Sequence, residues 1–213
     1  MKIAICFKGV HYMNGSHNWF IDFEQQVQNF KDTILTPLKN QGHEVDIFLS
    51  TYKFSDEKTA LLQTLYSPVD ISFLDFYENE ERYSAQYRHH LNLYRTILKY
   101  QSDNSVNYDS IITTRFDIEM NKPITSFDYD YSFFNINFKQ PTGDVDDCFW
   151  IFPGCDLNLV ISTLEQMNHD RVTLHKLEHY YPKQVRFLVS VQEYSARPFF
   201  NLKRSVRDNQ WQY

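Results

Sequence analysis

The stretch Tyr108-Asp109-Ser110-Ile111-Ile112-Thr113-Thr114-Arg115-Phe116-Asp117-Ile118-Glu119 reads as a buried strand whose apolar run stops abruptly at three charged groups. Side chains alternate along a strand. On a continuing strand Arg115, Asp117 and Glu119 therefore project from one face, and Phe116 and Ile118 turn to the core. Two carboxylates and a guanidinium together at a strand end are costly to desolvate unless something offsets them. A divalent cation carrying a phosphorylated ligand would do so. The plainer alternative for Asp117 is a carboxylate paired with Arg115 at a turn.

The flanking sequence sets this strand in a fold. Lys2–Lys8 reads as a first buried strand closed by Gly9. Residues 19–40 carry Phe20, Phe23, Val27, Phe30, Ile34 and Leu38 at helical spacing, with Pro37 and Gly42 marking a kink or an end. Residues 44–51 and 70–76 read as strands, with a short helix at 59–66 between them. Residues 80–101 form a long helix that repeats Tyr83, Tyr87, Leu91, Tyr94 and Leu98 on one side. Beyond the opening stretch come strands at 131–138, 148–152 and 185–191, and helices at 157–167 and 175–181. No internal repeat or low-complexity tract interrupts them. Alternating strands and helices over roughly the first 120 residues predict an α/β domain built on a central, mixed, mainly parallel sheet with helices on both faces. The later, less regular strands predict an antiparallel portion. Such open sheets bind ligands at the carboxyl ends of their strands, where Arg115, Asp117 and Glu119 fall.

Composition narrows the function classes. The chain has 213 residues, which fits one domain over 1–213, standing alone or within a longer protein. The 18 Phe, 15 Tyr and 3 Trp supply core and also suit a cleft for flat, hydroxylated ligands. The net charge is −6 with no basic run, so no nucleic-acid partner is expected. There is no signal-peptide pattern and no apolar run near the ~20 residues of a membrane span. Cys6, Cys148 and Cys155 lack CxxC spacing, and Cys6 reads as a buried thiol. A reducing, cytoplasmic setting is expected.

Common motifs are missing. Lys8-Gly9-Val10-His11-Tyr12-Met13-Asn14-Gly15-Ser16 follows the first strand and contains neither GxGxxG nor GxxxxGK[ST]. No GxSxG or HExxH occurs. His89 and His90 are adjacent, so they do not face one ligand together on a helix. His175 and His179 share a helical face without a third metal partner.

The passage Tyr83-Ser84-Ala85-Gln86-Tyr87, the helix that continues from it, and the strand from Tyr108 to Asp117 resemble a known family. They are similar to small nucleotide-sugar glycosyltransferases of the Rossmann-like GT-A fold, found in capsule synthesis clusters and large algal (chlorella) viruses. There a Gln-Tyr-bearing helix precedes a YDxII-x-x-R-x-D strand that replaces the usual Asp-x-Asp metal motif. Asp146-Asp147-Cys148-Phe149-Trp150-Ile151-Phe152-Pro153-Gly154 resembles the family's acidic segment beside the donor sugar. The resemblance implies a UDP-sugar donor, Mn²⁺ or Mg²⁺, and transfer of a hexose or deoxyhexose to a glycan hydroxyl. By matching position it makes Asp117 the principal metal-linked carboxylate, with Glu119 as a second candidate.

The remaining site candidates follow from chemistry beside that resemblance. Asp146 and Asp147 precede an apolar strand that can raise a carboxyl pKa, and either can serve as general base, Asp147 before Asp146. An ordinary acidic loop is their plain alternative. Phe7, Lys8 and Gly9 end the first strand, where a nucleotide lies in such folds, and Gly9 permits close backbone approach. Arg88 follows Gln86-Tyr87 and is, with Arg115, a candidate for the nucleotide; a solvated role for Arg88 stands beside it. Two other functions use the same features: a metal-dependent phosphoesterase or nucleotidyltransferase, and a non-enzymatic carbohydrate-binding module.

Overall fold

The computed structural model describes residues 1–10, 12–14, 19–75, 82–139, 142–190, 199–202 and 205–206. Residues 76, 80, 81 and 191, which the sequence reading placed in its strands and long helix, lie outside that set.

Alternation within the first strand divides the core in two. Along β1 (Lys2–Lys8), Ile3, Ile5 and Phe7 join one apolar cluster while Ala4 and Cys6 join another on the opposite face of the sheet. On the first face, β2 (Tyr12–Asn14) and β3 (Trp19–Asp22) make a small hairpin and lead into α1 (Glu24–Phe30). Residues 19–22, expected as helix, are therefore strand. The Asp22 carboxylate accepts the Glu24 backbone N–H at 3.1 Å and starts the helix instead. The helix passes through a wide turn of π type at Lys31–Leu35 into α2 (Thr36–Asn40). That wide turn lies where the Pro37 ring would otherwise meet the carbonyl four residues before it, so the helix continues past the proline. It ends before Gly42, whose φ of 79° belongs to the left-handed region.

β4 (Glu44–Tyr52) and β5 (Asp70–Leu74) flank α3 (Asp56–Tyr66), which Ser55 caps by accepting the Lys58 N–H at 3.1 Å. α4 (Arg82–Asn104) crosses to the second face and delivers the chain to β6 (Ser110–Arg115). β7 (Ile118–Met120) follows after a two-residue turn. Then come β8 (Phe134–Lys139), β9 (Trp150–Pro153), α5 (Leu157–His169), a 3₁₀ turn with the short α6 (Leu177–Tyr180), and β10 (Val185–Ser190). β11 (Phe200–Leu202) pairs with β7, and β12 (Ser205–Val206) pairs with β3.

The seven-stranded sheet runs β10-β8-β9-β6-β1-β4-β5. All its pairs are parallel except those of β9, which is antiparallel to both β6 and β8. The predicted mixed, mainly parallel α/β sheet is thus present, and the antiparallel portion of its late strands is β9 alone. Residues of α1, α2 and α3 pack on one face and residues of α4 and α5 on the other.

Reversal of β9 decides where the site falls. Because β9 runs against its neighbours, the chain segment before it, 146–149, is delivered to the carboxyl ends of β6 and β1. Lys8 and Arg115 lie side by side at those same ends, in register.

Candidate active site

Strand parity carries Lys8 and Arg115 to the α4 face: Ala4 and Cys6 precede Lys8 there, as Ile111 precedes Arg115. Lys8 is 5% exposed, and its ammonium lies 5.8 Å over the Trp150 ring and donates to the main-chain oxygen of Asp147 at 3.0 Å. A buried lysine needs such partners, because desolvation disfavours its charge. Burial lowers its pKa to about 8, with Asp147 opposing the shift.

The continuing strand expected through Glu119 does not form. β6 ends at Arg115, and Phe116 and Asp117 make a turn. Phe116 is drawn into an aromatic cluster, with its ring centroid 5.2 Å from Phe7 and 5.8 Å from Tyr66. Asp117 curls back so that its two oxygens accept from Arg115 Nε at 2.9 Å and Nη2 at 2.7 Å. This bidentate pair is geometrically the strong kind, and Asp117 is 2% exposed. Burial works against the Arg115 charge, but Asp117, Cys148 and Asp147 outweigh it and raise the guanidinium pKa. Glu119 lies beyond the turn in β7, opposite Asn201 of β11, so the three charges do not share one strand face.

Asp146 and Asp147 receive different surroundings. Asp146 is 3% exposed; its carboxylate accepts from Asn137 Nδ2 at 2.9 Å and from the Cys148 N–H at 2.8 Å. Its main-chain oxygen accepts from Trp150 Nε1 at 2.7 Å. Burial pushes the Asp146 carboxyl up to about 7, with the neighbouring Asp147 charge adding to it. Asp147 accepts from Gln86 Nε2 at 3.3 Å and from the Cys148 thiol at 3.2 Å. Burial raises its pKa too, but Lys8, Arg115 and His175 outweigh that and hold it below the usual carboxylate range. Burial keeps the Cys148 thiol protonated, so Sγ–H donates to Asp147 while Arg115 Nη1 donates to the sulfur at 3.6 Å.

The structure therefore brings five of the predicted residues together: Lys8, Arg115, Asp117, Asp146 and Asp147. Three carboxylates face two cations in a nearly water-free setting. Among the described residues, ligand atoms of Asp146, Asp147 and Cys148 lie within 4.8 Å of one another, a spacing that one cation can span. This donor set suits a hard divalent ion through its carboxylates, while the protonated thiol is the weaker donor.

Other predicted residues are placed differently. The Phe7 side chain is core, packed on Phe30 and Tyr66 at 4.9 Å each, which leaves only its backbone for a ligand. Gly9 has φ 95°, and nothing stands within 4 Å of where a Cβ would be, so the backbone there is open to close approach. Arg88 donates to the main-chain oxygen of Asp75 at 2.8 Å, at the end of β5. His175 Nδ1 lies 2.8 Å from the main-chain oxygen of Val145 and so braces the acidic segment.

Sequence reading did not assign roles to Cys148, Asn137 or His90. Asn137 carried a usable signal: it is polar and fully buried within the strand Phe134–Lys139, and a buried amide must find partners. His90 is fully buried and stacks on Trp150 at 4.6 Å, beneath the same cluster. No signal in the sequence marked Cys148.

Fold and site together define an α/β protein with a mixed, mainly parallel sheet and a desolvated charge cluster at its carboxyl edge. No protein-family model matches the sequence, and no curated protein matches it. Two solved structures are similar in outline. One is a glycosyltransferase involved in glycosylation of the major capsid of PBCV-1, at 10% identity and a TM-score of 0.47, covering 93% of this chain and 86% of that one. The other is the glycosyltransferase GlyE of Streptococcus pneumoniae TIGR4, at 9% identity and a TM-score of 0.48, covering 88% of this chain and 44% of that one. At that depth neither likeness carries a functional argument. The site's own chemistry has to do so.

Proposed function

We propose that the chain is a glycosyltransferase that moves a hexose or deoxyhexose from a UDP-sugar to a glycan hydroxyl, with Mn²⁺ or Mg²⁺ as cofactor. One observation carries this reading: Lys8, Arg115, Asp117, Asp146 and Asp147 converge at the carboxyl ends of β1 and β6. The sequence resemblance to nucleotide-sugar transferases supports the choice of donor.

Asp117 would hold the divalent cation if Arg115 gives up one of its oxygens, with Glu119 as an outer candidate, which leaves Asp146 and Asp147 for the acceptor. Bound there, the cation would offset the charge that develops on a departing nucleoside diphosphate. The chain's own groups supply the rest. Gly9, with its open left-handed backbone, lets the nucleotide approach the end of β1, beside the Phe7 main chain. Lys8 and Arg115 are cations already desolvated, so they interact with phosphate oxygens more strongly than surface cations would. Arg88 stands at the end of β5 as a further candidate for the nucleotide. Asp147, kept ionised, orients the acceptor hydroxyl. Asp146, raised to about 7, has the proton affinity suited to taking a proton near neutral pH.

Calorimetry with UDP, GDP and CMP, each with and without Mn²⁺, tests the proposal. UDP should bind, and only with metal. Absence of nucleotide binding under every condition would end it. Product analysis separates transfer, which releases UDP and lengthens the glycan, from phosphoester hydrolysis, which releases phosphate.

A further inference from the structure

A second cleft lies at the opposite end of the sheet, where β6, β8 and β10 begin. It encloses about 360 Å³ and is lined by Asp109, Tyr131, Phe133, Asp156, Tyr181 and Lys183, among others. That volume is in the lower range of small-ligand sites. The length of β6, about 17 Å at the rise of a strand, separates it from the Lys8–Arg115 cluster.

Two features show that the cleft is built rather than left over. The first is its aromatic lip. Phe133 is one of few large apolar side chains left exposed among the described residues, at 38%. Yet the loop that presents it is held firmly. The buried Asn135 side chain accepts the Asp130 N–H at 3.1 Å and donates to the main-chain oxygens of Asp130 and Phe133, at 2.6 and 2.7 Å. The Asp130 carboxylate in turn accepts the Ser132 N–H and hydroxyl, at 3.0 and 2.6 Å. A chain that uses a buried amide to hold an exposed ring in place has lowered the entropic cost of binding something against that ring. The second feature is the polar wall. Asp156 is 5% exposed, and its carboxylate accepts from the Tyr181 hydroxyl at 2.6 Å and from Lys183 Nζ at 2.5 Å. Lys183 is thereby fixed with two N–H groups to spare, and its side chain stays 57% exposed.

Charge selects the ligand class. Asp109 and Asp156 outnumber Lys183, so an anion such as a phosphate or a sulfated chain is repelled. An aromatic face beside fixed acceptors and an ammonium donor suits a ring that is apolar on one side and hydroxylated at its edge. We propose that this cleft is a binding subsite for a neutral saccharide, distinct from the nucleotide end of the sheet. It does not depend on the transferase reading, because binding here requires neither nucleotide nor metal.

Amide NMR titration of the whole chain with neutral α- and β-linked hexose trisaccharides tests it, with a sulfated trisaccharide as control. The expected result is saturable shifts at Ser132, Phe133 and Lys183, with the Lys8 and Arg115 amides unmoved and the sulfated sugar inert. Phe133→Ala should weaken binding about tenfold, the loss of one aromatic contact. Lys183→Met, which keeps the apolar stem, should also weaken it. No shift with any neutral sugar, equal binding by the Phe133→Ala protein, or stronger binding of the sulfated sugar would each overturn the proposal. A UDP titration on the same sample reads the other end of the sheet, so the two proposals can fail separately.

Discussion

Replacing His90 by Phe isolates the electrostatic cost of burying an imidazole under the charge cluster. His90 is fully buried, stacks on Trp150, and has its Nδ1 3.3 Å from the Tyr94 hydroxyl. Its Nε2 is buried without a hydrogen-bond partner. Burial drives its pKa well below 6.5, and Lys8, His89 and Arg115 push the same way. The folded protein therefore keeps His90 neutral where the unfolded chain would protonate it. The stability associated with the neutral ring is fully present above 6.5 and is lost as pH falls toward the folded pKa. At pH 5 the unfolded chain gains about 2 kcal/mol from this one protonation. A Phe ring fills the same stack and cannot titrate. At pH 8 the variant should lie within about 1 kcal/mol of wild type, since it loses one long hydrogen bond while Tyr94 keeps Thr113 at 2.8 Å. At pH 5 the difference should shift by about 2 kcal/mol in favour of the variant. Comparing the two proteins is essential. Asp146, raised to about 7, works in the opposite direction, because its folded form takes up a proton first and gains stability as pH falls. That contribution cancels in the difference. Urea unfolding followed by tryptophan fluorescence gives both values. A difference that stays constant from pH 8 to pH 5 would refute a neutral buried His90.

Two further perturbations test the packing that holds the site. Cys155 is exposed, whereas Cys6 and Cys148 are buried with thiol pKa values raised by burial, so Ellman's reagent at pH 8 should titrate one thiol quickly and the other two only on unfolding. Three fast thiols would contradict the closed packing around Asp147. Gly154→Ala should unfold the protein or cost more than about 3 kcal/mol, because the new Cβ would lie 1.8 Å from the Tyr108 carbonyl oxygen, where Gly154 N–H already bonds Asp109 at 2.9 Å. Gly9→Ala meets no atom within 4 Å and carries only the strain of φ 95°, about 1–2 kcal/mol. Equal melting temperatures for the two variants would refute the close approach of 154 to 108.

Legibility of this chain in sequence follows the range of the interactions. The parallel core was readable because Ile3-Ala4-Ile5-Cys6-Phe7 and Ser110-Ile111-Ile112-Thr113 are runs that only a doubly covered strand tolerates. The hairpin of β2 and β3 was hidden because Phe20 and Phe23 extend the helical spacing of α1, so periodicity favoured the wrong element. The break after Arg115 was hidden for a different reason. Period-two alternation correctly sends Phe116 and Ile118 to the core, so the pattern alone does not reveal a turn between them. What bends the chain is the ring cluster of Phe7 and Tyr66 together with the closure of Arg115 on Asp117.

The most instructive contrast lies between two adjacent carboxylates. Asp146 and Asp147 are equivalent in sequence, yet one is pushed up to about 7 and the other is held below its ordinary value. Both are desolvated, so burial alone would raise both. The distinction comes from cations 139 and 32 residues away along the chain, Lys8 and Arg115, which act more strongly on Asp147. Here Asp147 feels the cations at the ends of β1 and β6, while the Asp146 carboxylate is held by Asn137 of β8 and by the Cys148 N–H. Burial and the Asp147 charge keep the proton affinity of Asp146 high, outweighing the Cys148 N–H and the Asn137 amide, whose hydrogen bonds favour its anion. The reversal of the antiparallel strand β9 thus delivers the acidic pair to the sheet's carboxyl edge, where its two members meet different neighbours.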